Sequence, residues 1–280
     1  MAFLTEMDPS TGLVSAEQVR DKGKELNGAY NAAQPFPHVV IDKFLPEPVL
    51  ERCLAEFPSR GDSEMIFDRE QERYKAQFNP EIVTPWVRNL FYSFNARPFI
   101  RVLENITGIQ GLIPDPYFFG GGFHEIAQGG HLSVHADFNH HKPMNLERRI
   151  NVLIYLNHNW KDAYGGQLEL WDNAMTRAEI SVIPEFNRCV VFNTTSNSNH
   201  GNPNPINHPD RTPRRSIALY YYTATWDGTK RTHTTQFRAR SDTTDKIDWQ
   251  VKTGELADDL MPPILVRNFR RVKRRLTRRT

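Results

Sequence analysis

The strongest constraint on this chain begins after Gly108. From there, short β-like runs follow one another at 117–127, 131–137, 150–156, 166–171, 178–183, 188–193 and 214–223, set apart by Gly, Asn and Pro. Seven short strands with turn residues between them and no intervening helical pattern point to an antiparallel sandwich or barrel. A mostly β core with flanking helices is therefore the expected fold class.

The preceding third reads as helical support. Residues 15–18, SAEQ, have the form of a capping box and predict a helix to about Ala32, ended by Pro35 and Pro37. His38 to Asp42 predicts a short strand, and Pro46 opens a helix to about Phe57. Residues 59–80 are charged and predicted irregular. From Pro85 to Ile106, Val87, Leu90, Phe91, Phe94, Phe99, Val102 and Leu103 recur at helical spacing, with a break at Pro98. The expected organisation is a helical support over 1–107, a β core over 108–226 and a C-terminal extension over 227–280, helical after Pro262-Pro263.

Composition narrows the class. With 280 residues, 39% of them hydrophobic and 24% charged, the chain can bury a sizeable core and is not a disordered sequence. No run of 18 apolar residues predicts a membrane-spanning helix, and the first residues, MAFLTEMDPSTG, lack the apolar stretch of a secretory signal. The two cysteines, Cys53 and Cys189, cannot build a disulfide framework, and reduced thiols in a cytoplasmic protein are expected. Residues 267–280 hold eight Lys/Arg and no acid; set against a whole-chain charge of +2, they leave −6 for residues 1–266. The basic character therefore belongs to the tail, which suits an anionic partner or an exposed cationic end, and the body gives no argument for nucleic-acid binding.

Six of the ten histidines fall between His124 and His158. In the run HLSVHADF, residues 131–138, His135 and Asp137 are two apart on a strand and so share a face. A third ligand from another strand would complete a two-histidine, one-carboxylate facial site, which leaves open positions on Fe(II). His-x-Asp alone is a weak signal. Further on, His200 follows the strand 188–193 in a turn of small polar residues, and Arg214-Arg215 opens the strand 214–223. His124, Glu125 and His131 do not have the i, i+4 spacing of a helical zinc site.

As a set, GGGFHEIAQGGHLSVHADF (120–138), RRINVLIYLNHNW (148–160), YGGQLELWD (164–172) and the NHG…RRSIALYYYT segments of 199–223 resemble the prolyl-4-hydroxylase-like branch of the Fe(II)/2-oxoglutarate dioxygenases. The resemblance covers about 110 residues and follows the family's motif order. It implies a double-stranded β-helix, or jelly-roll, core in which His135, Asp137 and His200 hold Fe(II). It also implies 2-oxoglutarate and O2 as cosubstrates, and hydroxylation of an unactivated C–H with release of succinate and CO2.

The far carboxylate of 2-oxoglutarate needs a buried cation, and an arginine fork suits it. Arg214 shares a face with Ser216, Ala218 and Tyr220, and Arg215 with Ile217, Leu219 and Tyr221. The small neighbours favour Arg214, with Ser216 beside it, while Arg215 stays open as the alternative. Tyr155 matches the family's tyrosine for the same carboxylate, and Leu153 and Leu168 are expected as apolar walls. His131, His140 and His141 are candidates for contact with substrate, the last two in the loop after the metal strand. The substrate class left open is a peptidyl or free amino acid or a small metabolite. The alternatives are a non-catalytic jelly-roll binding module and a nucleic-acid demethylase of the same chemistry. The basic residues lie in the tail rather than around the site, which disfavours the second.

Overall fold

The computed structural model describes residues 1–63, 65–227, 229–240, 243 and 245. The expected helix after Pro262-Pro263 and the basic tail lie outside them. Helices α1 (Asn27–Ala32), α2 (Glu47–Ala55), α3 (Pro85–Phe94) and α4 (Arg97–Thr107) surround a curled antiparallel sheet. Its strands are β1 (His38–Ile41), β2 (Met65–Arg69), β3 (Glu72–Phe78), β4 (Ile113–Pro114), β5 (Gly122–Ala136), β6 (His140–His141), β7 (Leu146–Tyr155), β8 (Leu168–Trp171), β9 (Ala178–Val182), β10 (Cys189–Asn193), β11 (His200–Asn202), β12 (Arg214–Thr223) and β13 (Gln236–Phe237). The main strand order is β1-β10-β7-β12-β5-β11-β8-β9, with β3 pairing β5 and β2 pairing β3. This mostly β architecture with flanking helices is the class expected from the strand pattern, and its curled antiparallel sheet is the jelly-roll that the family resemblance implies. Among the described residues, no helix is long and apolar enough to cross a membrane.

β5 organises the molecule. Residues Gly122 to Ile126 pair with β12, while Leu132 and His135 pair with β11, so one strand passes from one side of the curl to the other. The runs 117–127 and 131–137, read as two strands, are thus parts of this single bent one. Gly129, at φ 75, lies at the bend.

Alternation on β7 and β12 separates two environments. Ile150, Val152, Ile154, Ile217, Leu219 and Tyr221 join Phe91, Phe94, Phe99 and Leu103 of α3 and α4 in the largest buried cluster. The opposite faces carry Asn151, Leu153, Arg214, Ser216 and Tyr220 onto a cavity. α3 is capped by the Thr84 side chain, which accepts from the Val87 N–H, with Pro85 in the first turn. The interruption before α4 falls at Asn95-Ala96 rather than at Pro98. Pro98 sits in the first turn of α4, where its missing N–H costs nothing.

Two expectations about the support need correction. No helix starts at Ser15: residues 15–22 form turns and α1 begins only at Asn27. Gly23 (φ 90) lies so close to α4 that a Cβ there would sit 2.6 Å from Ile106 Cγ1, and this left-handed close approach interrupts a helix. Residues 59–80 are not irregular but contain the β2–β3 hairpin, in register Ile66 to Ala76 and Phe67 to Lys75. Its alternation is masked because cavity-facing residues, Glu72 and Lys75 among them, are charged.

Candidate metal centre

The β5–β11 pairing puts His200 directly opposite His135, and Asp137 follows at the end of β5. The backbones approach closely because of Gly201, whose Cβ would lie 2.8 Å from Leu132 O. The His135 and His200 rings are 4.5 Å apart. His135 Nε2 stands 3.6 Å from Asp137 Oδ1, and His200 Nε2 stands 3.4 Å from Asp137 Oδ2. Adjacent positions on an octahedral ion with bonds near 2.1 Å are about 3 Å apart, so these three donors can close on one ion. Among the described residues, they are the one group of three or more potential ligands whose atoms all lie within 4.8 Å of one another.

Hydrogen bonding fixes the histidines in the ligating tautomer. Nδ1 of His135 lies 2.9 Å from Ser133 O, and Nδ1 of His200 lies 2.9 Å from Ser198 O. A carbonyl only accepts, so Nδ1 donates, which in the neutral ring leaves the Nε2 lone pair on the side of Asp137. Burial pushes the His200 imidazole down to about 4, against the opposing pull of Asp137. Burial raises the Asp137 carboxyl, but Arg148, then His200 and His135, outweigh it and hold it well below the ordinary carboxylate range. His200 is thus a neutral imidazole and Asp137 a carboxylate, the states in which such groups ligate a metal.

Asp137 is itself gripped. Its Oδ2 accepts from Asn151 Nδ2 at 2.8 Å and lies 3.1 Å from an Arg148 terminal nitrogen. Arg148 also donates to Asn151 Oδ1 at 2.7 and 3.1 Å, and its guanidinium sits 4.4 Å from the Phe138 ring centre and 3.7 Å from that of Tyr220. Sequence reasoning missed both residues. Asn151 shares a face with Tyr155 and was open to reading. Arg148 has the parity of the helix-facing Ile150, but Tyr221 opposes Ile150 while Tyr222 opposes Arg148. That bulge turns Arg148 toward the cavity, and nothing in the alternation announces it.

The metal donors open onto a cavity of about 450 Å³, also lined by Leu153, Leu168, Arg214 and Ser216. Arg214 is buried and donates through Nε to Gly166 O at 2.8 Å. Gly166 allows this contact, since a Cβ there would reach 3.0 Å from Arg214 Cδ. The Arg214 guanidinium carbon lies 4.9 Å from the centre of the Tyr155 ring. The Tyr155 hydroxyl is buried without a hydrogen-bond partner, and burial pushes its pKa above the ordinary phenol value, which keeps it a neutral donor. Among the described residues no carboxylate pairs with Arg214. A buried unpaired cation beside an orphaned hydroxyl donor matches the distal carboxylate of 2-oxoglutarate. Arg215 lies on the other face, bonded to Glu125 at 3.0 Å and packed on the Phe57 ring.

The three substrate-candidate histidines do not line the cavity. His131 bonds to Glu70 O, and His140 stacks on Trp226. His141 is buried against Tyr222, with Asp115 3.6 Å from its Nε2. The wall instead includes Glu72, Lys75, Tyr117 and Phe119, and from beyond residue 227 it includes Thr235 and Phe237. β13 pairs Phe237 with His135, so residues beyond 227 return to the metal strand.

Residues 121–222 match the sequence model of the 2OG-Fe(II) oxygenase superfamily. No curated protein matches the chain. Among solved structures, a prolyl hydroxylase from Trichoplax adhaerens, in complex with a hypoxia-inducible-factor oxygen degradation domain peptide, is similar at TM-score 0.54 and 18% identity, over 77% of this chain and 96% of that one. A Pseudomonas putida prolyl-4-hydroxylase has TM-score 0.47 and 17% identity over 71% and 98% of the two chains. HygX from Streptomyces hygroscopicus, with nickel and 2-oxoglutarate bound, has TM-score 0.47 and 10% identity over 68% and 84%. The first of these supports the fold.

Proposed function

Residues 121–222 are a 2OG-Fe(II) oxygenase domain, and from that premise we propose that the chain hydroxylates an unactivated C–H with His135, Asp137 and His200 as its iron ligands. One observation carries the ligand assignment: three donors of the required types converge within 4.8 Å on the wall of a cavity large enough for cosubstrate and substrate. Fe(II) and 2-oxoglutarate, when bound, supply the oxidising chemistry that couples O2 to hydroxylation with loss of CO2 and formation of succinate.

The chain's own residues do the rest. His135 and His200 present Nε2 lone pairs held in place by their Nδ1–H bonds to Ser133 and Ser198. Asn151 and Arg148 orient the Asp137 carboxylate. Arg214 and the Tyr155 hydroxyl bind the distal carboxylate of 2-oxoglutarate, Ser216 lies beside Arg214, and Leu153 and Leu168 exclude water from its methylenes. Phe237, 5.6 Å from the His135 ring, shields the metal strand. The substrate is a small molecule or peptide that enters past Tyr117 and Phe119. Cys53 and Cys189 are buried free thiols, which supports the cytoplasm as its compartment.

Purified protein supplied with Fe(II), O2 and 2-oxoglutarate is expected to release succinate, to stop on chelation and to resume on adding ferrous iron. No iron-dependent succinate from a folded protein contradicts the reading and leaves a binding module on a jelly-roll scaffold.

A further inference from the structure

The charges on the cavity wall do not balance. Four cationic side chains, Arg69, Lys75, Arg148 and Arg214, face two carboxylates, Glu72 and Asp137. Iron(II) and the 2-oxoglutarate dianion cancel each other, so the loaded cavity keeps two positive charges. A cavity wall with an excess of one sign favours a ligand of the other.

Lys75 is the cation placed to use that excess. Its side chain is only 12% exposed, against 50% for Arg69, and both share the single buried Glu72 carboxylate at 2.8 Å each. One of the three ammonium donors of Lys75 goes to Glu72. Lys75 and Arg214 are both paired with Ile126, from opposite sides of β5. The two cations thus stand on strands about 10 Å apart, two interstrand spacings, and can hold two different anions. At the mouth, Tyr117 and Phe119 are 62% and 59% exposed while still lining the cavity. Such large exposed rings suit the apolar part of a ligand.

Building on the functional reading above, we propose that the substrate is a carboxylate whose anionic end docks on Lys75 and whose apolar part rests on Tyr117 and Phe119. Glu72, held between Arg69 and Lys75, is a positioning residue that keeps the ammonium aimed at the cavity.

The test is calorimetry under anaerobic conditions on the full chain loaded with Fe(II) and 2-oxoglutarate, using 3-phenylpropionate and its neutral amide, 3-phenylpropionamide, as probes. The acid is expected to bind at least tenfold more tightly than the amide, with that preference lost in Lys75→Met and kept in Lys75→Arg. Equal binding of the two probes, or binding of neither, overturns the proposal. So does a Lys75→Met effect that falls on 2-oxoglutarate instead of on the acid. The wild-type comparison stands even if the variant fails to fold. Failure of the wild type to bind 2-oxoglutarate with Fe(II) in the loading step removes the functional reading, and this inference with it. A missing acid preference on a properly loaded protein removes this inference alone.

Discussion

Strands β7 and β12 carry two faces built to opposite ends. On one, Ile150, Val152, Ile154, Ile217, Leu219 and Tyr221 meet the phenylalanines of α3 and α4 with almost no exposed surface. On the other, one residue away along the same chain, Asn151, Tyr155, Arg214 and Ser216 are just as buried but polar. The first face gains stability by leaving water. The second gives up hydration that hydrogen bonds such as Asn151 to Asp137 and Arg214 to Gly166 restore in part, leaving the Tyr155 hydroxyl and the Arg214 charge to a bound anion. A single period-two pattern therefore encodes a support and a site at once, and a substitution should disturb one without the other.

Four results would sharpen or break that separation. His200→Ala should cut succinate formation by more than roughly a hundredfold, since losing even an outer partner of a metal ligand costs 10–100-fold. The variant should stay folded, as checked by circular dichroism. Phe94→Ala should do the reverse, costing about 3–5 kcal/mol in denaturant unfolding while the folded fraction keeps its affinity for 2-oxoglutarate. Arg214→Ala should raise the 2-oxoglutarate KM by roughly ten- to a hundredfold, the range of a lost charge-assisted hydrogen bond, with iron affinity little changed. Arg215→Ala should leave that KM nearly unaltered; a large rise there would mean that the parity of β12 assigns the wrong arginine.

A further expectation concerns pH. Burial, then Lys75, pushes the His124 imidazole down from 6.5 to about 3. The unfolded chain therefore takes up a proton that the native state refuses, and unfolding binds protons between those values. Stability from this group is complete above about pH 6.5 and declines as pH falls toward 3. Melting curves of metal-free protein should show that decline, and His124→Gln should flatten it. An unchanged slope in the variant would assign the acid sensitivity elsewhere.

How much was readable follows from the same two faces. The apolar face announces itself by alternation, so a β sandwich or barrel, β10, β12 and the α3–α4 pair were visible in the sequence, while the jelly-roll came from the family resemblance. His135 and Asp137 were visible because i and i+2 must share a strand face. Arg148 was hidden by a bulge that breaks the parity it belongs to. The β2–β3 hairpin was hidden because its inward side carries Glu72 and Lys75, charges that imitate a solvated loop. Gly23 offered a clue in the support, since a glycine inside a predicted helix often marks a close approach.

One ion and one dicarboxylate together satisfy the polar face. A crystal structure of the protein grown with Mn(II) and 2-oxoglutarate tests it most directly. A single metal is expected within about 2.0–2.3 Å of His135 Nε2, an Asp137 oxygen and His200 Nε2, with the far carboxylate on Arg214 and the Tyr155 hydroxyl. A metal bound elsewhere, or that carboxylate seated on Lys75 with Tyr155 still unpaired, would contradict it.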